Sequence, residues 1–173
     1  NTFGTDPCAR RSGGFVITGG LGGLGLRAAG ILLAHGVRHT TLVSRSGRAA
    51  RDWQGLQGHL SVLTRMPSCT VRLLACDASD QAEVAMLLIP DLNEAAQRAL
   101  HGVLHAAGVL HKGRMMEAAS WDIAYVFQSK ATSALSLHVS LAHLTPSTFL
   151  LYSSVASLFG NVGQSVYAAS NAC

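Results

Sequence analysis

The sequence predicts an α/β domain built on a doubly wound parallel sheet. Short apolar runs alternate with segments of helical character along the chain. Several of those runs are apolar almost throughout, as strands covered on both faces are. A glycine-rich turn joins the first run to the first helical segment, the arrangement that opens a nucleotide-binding sheet.

Residues 1–13 are polar, with Gly, Pro and Arg, and read as a linker, which leaves 14–173 as the domain. The first strand is 14–18 and the first helix runs from about Gly23 to His35. A second strand covers 39–43, residues 48–66 read as helical with weak periodicity, and a third strand covers 70–75. Asp80 with Glu83 three residues on resembles a capping box, which satisfies two free backbone donors at a helix start. That helix should reach Ile89, where Pro90 interrupts, and continue over 91–100. The fourth strand is 101–105, and Ser120, with Asp122 in the first turn, should start a long helix to about His143. The fifth strand is 148–152 and a last helix covers 164–173. Crossovers between parallel strands should be right-handed.

The composition narrows the function classes. The 173 residues fit one domain. Hydrophobic residues make up 49% and charged residues only 13%, against about 25% in typical domains, so much of the surface expects cover. The net charge is +4, and the arginines are scattered apart from Arg10, Arg11 and the trio Arg45, Arg48, Arg51. No basic stripe alternates with aromatics, so nucleic-acid binding is not expected, and no apolar run reaches the roughly 18 residues of a membrane span. Cys8, Cys69, Cys76 and Cys173 form no C-x-x-C pair and read as free thiols in a reducing, cytoplasmic setting. His101 and His105 could share a strand face, but no cysteine or carboxylate joins them at ligand spacing, so no metal site is expected.

The turn after the first strand carries G-x-G-x-x-G at Gly20, Gly22 and Gly25, and T-G-x-x-x-G-x-G at Thr18, Gly19, Gly23 and Gly25. Glycines let the backbone turn tightly and approach a pyrophosphate, and the helix behind offers free N–H groups and the positive end of its dipole. Together with the strand–helix alternation, this makes the expected fold Rossmann-like. The second strand leads into Ser44, Arg45 and Ser46, with no acidic residue to hold a ribose 2′-hydroxyl. A guanidinium suits a 2′-phosphate, so NADPH is expected over NADH. Asp77 ends the third strand, either beside a cofactor's adenine or as the cap of the turn before Ser79.

Near the end of the chain, Ser153 and Ser154 close the fifth strand, and Tyr167 and Asn171 stand four apart on one helix face. In the long helix, Ile123, Phe127, Ala134, Leu137 and Leu141 form an apolar stripe with Lys130 in its middle. An inward lysine needs a partner or a job; otherwise it snorkels to the surface.

The segments VITGGLGGLG (16–25), LVSRSG (42–47), CD (76–77), GVLHAAGVL (102–110) and YSSVASLFGNVGQSVYAASNA (152–172) resemble the ketoreductase domain of polyketide synthases, in the short-chain dehydrogenase/reductase superfamily. Most short-chain reductases carry Tyr-x-x-x-Lys; here Asn171 takes the lysine's place. The polyketide ketoreductases are similar in exchanging Lys and Asn between two positions, which implies that Lys130 is the catalytic lysine. The separations from Lys130 to Ser154 and from Ser154 to Tyr167 match that family.

The resemblance implies NADPH-dependent reduction of a β-ketoacyl thioester on an acyl carrier protein, beside other domains of a polyketide synthase. Tyr167 would protonate the carbonyl oxygen, Lys130 would stabilise the phenolate and hold the nicotinamide ribose, Ser154 would hydrogen-bond the carbonyl, and Asn171 would hold a relay water. The cofactor would lie against Thr18, Gly19, Gly20, Gly22, Gly23, Leu24 and Gly25, with Ser44, Arg45, Asp77, Ala106, Ala107 and Gly108. Two readings stand beside this one: a stand-alone reductase acting on a free small molecule, and a silent domain that braces a multienzyme.

The chain departs from the family in places. Leu110, His111 and Lys112 replace the Leu-Asp-Asp that tracks with one product stereochemistry, and Phe159 stands where the opposite class has Trp. The alcohol configuration is left open. The family continues past the position of Cys173, so the sheet is expected to be truncated at its C-terminal end, and the isolated chain to be poorly stable and weakly active or inactive.

Overall fold

The structure, a computed structural model, describes residues 13–49, 54–88 and 100–173. The strands are β1 (Gly14–Thr18), β2 (His39–Ser44), β3 (Thr70–Ala75), β4 (Leu100–His105) and β5 (Thr148–Leu151). The helices are α1 (Gly23–Ala34), α2 (Leu56–Thr64), α3 (Gln81–Leu88), α4 (Ser120–Phe127), α5 (Ser133–Leu141), α6 (Ala156–Phe159) and α7 (Ser165–Ala172). A π-turn, Gln128–Thr132, joins α4 to α5.

All strand pairs are parallel, in the order β3-β2-β1-β4-β5. Successive side chains of a strand point to opposite faces, and both faces are covered over the central strands β1, β2 and β4. Phe15, Ile17, Leu42 and Leu104 join Leu26, Leu33, Leu60 and Leu63 of α1 and α2 in one core. Their strand neighbours Val16, Val43 and Val103 join Val84 and Leu88 of α3 and Leu137 and Leu141 of α5 in the other. This two-sided burial is why those strands read as apolar runs, and it makes the sheet doubly wound, as expected. β5 lies at an edge of the described sheet, and its Leu150 and Leu151 are exposed.

The register sets the site. Thr18 pairs with Val43 on one side and His105 on the other, and His105 in turn pairs with Leu151. Four strands therefore end at one level, and the loops leaving them converge on one edge. Ligands bind along the carboxyl edge of such sheets.

Several elements differ from expectation. Residues 1–12, 50–53 and 89–99 lie outside the described residues, so the linker and most of the 91–100 helix do too, but Leu100 is the first residue of β4. Among the described residues of the segment expected to be helical over 48–66, the α-helix is α2, which starts after Gly55 at φ +69°, a left-handed conformation that cannot continue a helix. The capping box is half made: Asp80 accepts the Glu83 amide at 3.1 Å, but the Glu83 carboxylate reaches back to the Asp77 amide at 2.8 Å. The short helix α6 was not anticipated.

The apolar stripe of the long helix holds only in its second half. Leu137 and Leu141 are buried, but Ile123 is exposed and the buried residue of α4 is Val126. The π-turn adds a residue to one turn, which rotates the face before it relative to the face after it. A single helical register cannot describe both.

Candidate active site

The turn after β1 is built by its glycines in different ways. Gly19 sits at φ +66°, and a Cβ there would lie 2.5 Å from the Ala107 amide nitrogen. A Cβ on Gly25 would collide with the backbone of Gly19 and Gly20. The Gly20 amide donates to the Val43 carbonyl at 3.0 Å, and Gly22 donates to Gly19 at 3.0 Å. Gly19 and Gly22 face a cleft, whereas Gly20 and Gly25 let β1, β2 and α1 approach one another.

That cleft has a volume of about 640 Å³, within the range of small-molecule sites. It runs along the carboxyl edge of the sheet. Its walls include Thr18, Gly19, Gly22, Ser44, Arg45 and Asp77, and Ala106, Ala107 and Gly108 close the β4 side. Of the residues expected at the cofactor, Gly20, Gly23, Leu24 and Gly25 do not line it; the Leu24 side chain is 60% exposed.

Arg45 leaves the end of β2 and reaches across to α4. Its guanidinium donates to the Tyr125 hydroxyl at 2.7 Å and stands 4.9 Å from that ring's centroid. Tyr125 also lines the cleft, and nothing in the periodicity of its helix marked it. Asp77 accepts both the amide and the hydroxyl of Ser79, at 2.9 and 2.8 Å. It thus caps the turn before Ser79, as one of its two readings expects, and it also lines the cleft. Burial pushes its carboxyl upward, but the two Ser79 hydrogen bonds and the Arg45 charge hold it below its ordinary value.

Lys130 lies on the π-turn, and its ammonium donates to the Ala107 carbonyl at 3.0 Å. Its methylene stem runs under Gly108, where a Cβ would sit 3.7 Å from the lysine Cδ. The lysine therefore points inward beneath the cleft wall and does not snorkel outward. Burial lowers its pKa, because a low-dielectric setting disfavours the charged form.

His105 ends β4 with no exposed surface. Its Nδ1 is 2.6 Å from the Thr18 hydroxyl and its Nε2 is 3.0 Å from the Lys130 carbonyl oxygen. Burial, then the Lys130 charge, push its pKa down to about 4. His101 packs its ring on Phe15 at 5.2 Å, so the two histidines do separate work. Thr18 lines the cleft, but its hydroxyl is turned onto His105.

The remaining expected residues lie on the segments after β5. Ser154 accepts the Ala156 amide at 3.2 Å and so starts α6. Tyr167 and Asn171 are on α7, which packs against α4, α6 and the π-turn. The helix with the tyrosine thus rests on the turn with the lysine. Asn171 is buried, its side-chain amide donates to the Tyr167 backbone carbonyl at 2.8 Å, and its backbone carbonyl accepts the Ser153 hydroxyl at 2.8 Å. Ser153 therefore ties the end of β5 to α7. Farther along, the Gly113 amide donates to Gly163 at 2.9 Å, joining the loop after β4 to the loop before α7.

These residues fit a nicotinamide dinucleotide. A glycine turn that a side chain would fill and a guanidinium on the cleft wall, with a half-buried ammonium beneath that wall, form the kind of donor set such a cofactor would take. Among the described residues no group of three His, Cys, Asp or Glu could hold a metal ion, and no helix is long and apolar enough to cross a membrane.

Comparisons with known proteins agree with this geometry. The model of the KR domain matches residues 13–173. Erythronolide synthase EryA2 of Saccharopolyspora erythraea is 38% identical over 160 residues, which span 92% of this chain and 4% of that protein. Chalcone synthase cfoA of Aspergillus candidus is 38% identical over 93% of this chain and 6% of its own length. The chain thus spans a small part of the curated relatives it matches. Among solved structures, PlmKR1, a ketoreductase from the first module of phoslactomycin biosynthesis in Streptomyces sp. HK803, superposes with a TM-score of 0.79 at 34% identity, covering 93% of this chain and 36% of that one. An A-type ketoreductase of a modular polyketide synthase gives 0.77 at 36% identity, covering 92% and 32%. Domains of this kind are oxidoreductases that bind a nicotinamide cofactor. A family match over all the described sheet, and neighbours that share its architecture, lead to one conclusion: the chain belongs to the KR family, the ketoreductase domains of polyketide synthases within the short-chain dehydrogenase/reductase superfamily.

Proposed function

We propose that this chain catalyses NADPH-dependent reduction of a β-ketoacyl thioester, carried on an acyl carrier protein within a polyketide synthase, to the β-hydroxyacyl thioester. The observation that carries the reading is the half-buried, inward-pointing Lys130 ammonium. It lies under the Ala107–Gly108 wall of the nucleotide cleft, on the turn against which the Tyr167 helix packs. A cation withdrawn from water is expensive unless it has a task, and the packing of the Tyr167 helix on its turn supports a shared one.

When bound, the nicotinamide supplies the hydride, and the protein supplies position and electrostatics. Ser154 donates a hydrogen bond to the substrate carbonyl oxygen, where negative charge develops. Tyr167 gives that oxygen its proton. Lys130 stabilises the resulting phenolate by its charge and binds the nicotinamide ribose hydroxyls, and Asn171 holds a water through which the proton is replaced. Arg45 binds the 2′-phosphate that separates NADPH from NADH. The polyketide synthases among the relatives support the carrier-bound substrate.

The test is NADPH oxidation on adding a β-ketoacyl thioester to the full natural polypeptide that carries this chain, with the β-hydroxyacyl product identified by mass. Stoichiometric NADPH loss and product formation are expected. A folded protein that binds NADPH and leaves the ketone untouched would overturn the reading.

A further inference from the structure

Lys130 is held at two points by one short segment at the end of β4. The Ala107 carbonyl takes its ammonium, and the ring of His105 reaches its backbone carbonyl. The carbonyl can only accept, so Nε2 of His105 carries the ring proton and donates it. Nδ1 then has only a lone pair, and the Thr18 hydroxyl must be its donor at 2.6 Å. One tautomer satisfies both contacts, and it is neutral. The push of the ring's pKa to about 4, by burial and then by the Lys130 charge, agrees with that state.

The receiving carbonyl belongs to a π-turn. Side chains inserted into a helix ladder are a known cause of such irregularity, and π-turns concentrate at functional sites. The ring thus ties three elements together: β1 at the start of the glycine turn, β4, and the turn that carries the lysine. The charged groups facing it are few; Lys130 is the one whose charge acts on it.

We propose that His105 is a positioning residue, whose ring, braced by Thr18, grips the Lys130 main chain and so fixes where the lysine ammonium stands beneath the Ala107–Gly108 wall of the cleft. This rests on the reading that Lys130 binds the cofactor ribose. His105 itself touches neither substrate nor cofactor.

Two substitutions separate the halves of the grip. In His105→Asn the amide reaches the Nδ1 position, keeping a partner for Thr18 and losing the donor to Lys130. In His105→Gln the amide N–H reaches the Nε2 position and can donate to that carbonyl. NADPH dissociation constants are measured by cofactor fluorescence in the full natural polypeptide, alongside thermal midpoints and turnover. His105→Asn should weaken NADPH binding and lower kcat by about tenfold each, the scale expected when a positioned group is displaced. His105→Gln should stay within about threefold of wild type in both. In a Lys130→Met background, His105→Asn should cause no further loss, since coupled residues are not additive. Should His105→Asn not fold, Thr18→Val removes the hydroxyl that braces the ring and should weaken NADPH binding about threefold, a loss that should vanish in the Lys130→Met background if it acts through the lysine and persist if it comes from the cleft wall.

Full additivity with Lys130→Met, or equal losses in the Asn and Gln variants that follow their thermal midpoints, would make His105 a packing residue only and overturn the proposal. So would wild-type NADPH affinity in His105→Asn, or in Thr18→Val where that variant is the one used. Wild-type protein that binds NADPH without reducing the ketone overturns the proposed function instead, and the affinity cycle still decides the role of His105. Wild-type protein that is folded and binds no NADPH overturns both.

Discussion

Arg45 and Tyr125 meet across the mouth of the cleft, with a 2.7 Å hydrogen bond and the guanidinium 4.9 Å from the ring centroid. One residue follows β2 and the other belongs to α4, and both line the cleft; in the proposed function this is where the adenosine end of the cofactor would lie. The guanidinium keeps further donors to offer beyond the one given to Tyr125.

Arg45→Ala should raise the KM for NADPH by about tenfold or more and leave that for NADH within about twofold, since a lost charged hydrogen bond is worth roughly 1.5–3 kcal/mol. Steady-state kinetics with both cofactors check it. Tyr125→Phe keeps the ring and loses the hydroxyl, and should shift NADPH affinity by less than Arg45→Ala does.

Stability should fall on mild acidification because of His105. The folded protein holds the ring neutral down to about pH 4, whereas the unfolded chain takes up a proton near the ordinary value of 6.5. A group with a depressed native pKa contributes fully above its unfolded value and loses that contribution as pH falls toward the native one. Stability should therefore be level with respect to this ring above pH 6.5 and decline between 6.5 and about 4. The loss is about 3 kcal/mol in all. Denaturant midpoints across that window in wild type and His105→Gln check it; the variant should lack this part of the decline.

Gly19→Ala should damage fold and cofactor site together. At φ +66° with Ala107 backbone 2.5 Å from the new Cβ, the residue faces both backbone strain and overlap. Each is worth roughly 1–3 kcal/mol. A lowered thermal midpoint and lost NADPH binding are expected. Gly23→Ala, where a Cβ meets nothing nearer than Leu56 at 4.0 Å, should leave the fold intact.

The central strands β1, β2 and β4 were legible because both faces of the sheet are covered there, which leaves an apolar run; the edge strands β3 and β5, with no buried residue, were legible from their apolar composition alone. The turn was legible because only glycine tolerates the conformation of Gly19 and the contact at Gly25. Lys130 announced itself as a charge in an apolar stripe, yet the stripe itself was misread. A π-turn leaves no mark in composition, so Ile123 was expected to be buried and Val126 was not singled out. Contacts between distant elements left no local trace either. Arg45 and Tyr125 lie eighty residues apart in sequence and meet only in the folded chain. His105 looked like an apolar strand's last residue, and its two hydrogen bonds depend on the register of β1 with β4 and on the π-turn. Glu83 fitted a capping box by spacing but found the Asp77 amide, because the chain folds back there.

The most direct test of the central claim is single-turnover reduction of a β-ketoacyl thioester by wild type and Tyr167→Phe, each saturated with NADPH. If Tyr167 is the proton donor, the variant should bind NADPH as wild type does and reduce the ketone at least about a hundredfold more slowly, the lower range of general acid catalysis. Equal rates in the two proteins would contradict the account, for the proton would then come from elsewhere and Lys130 would have no phenolate to stabilise.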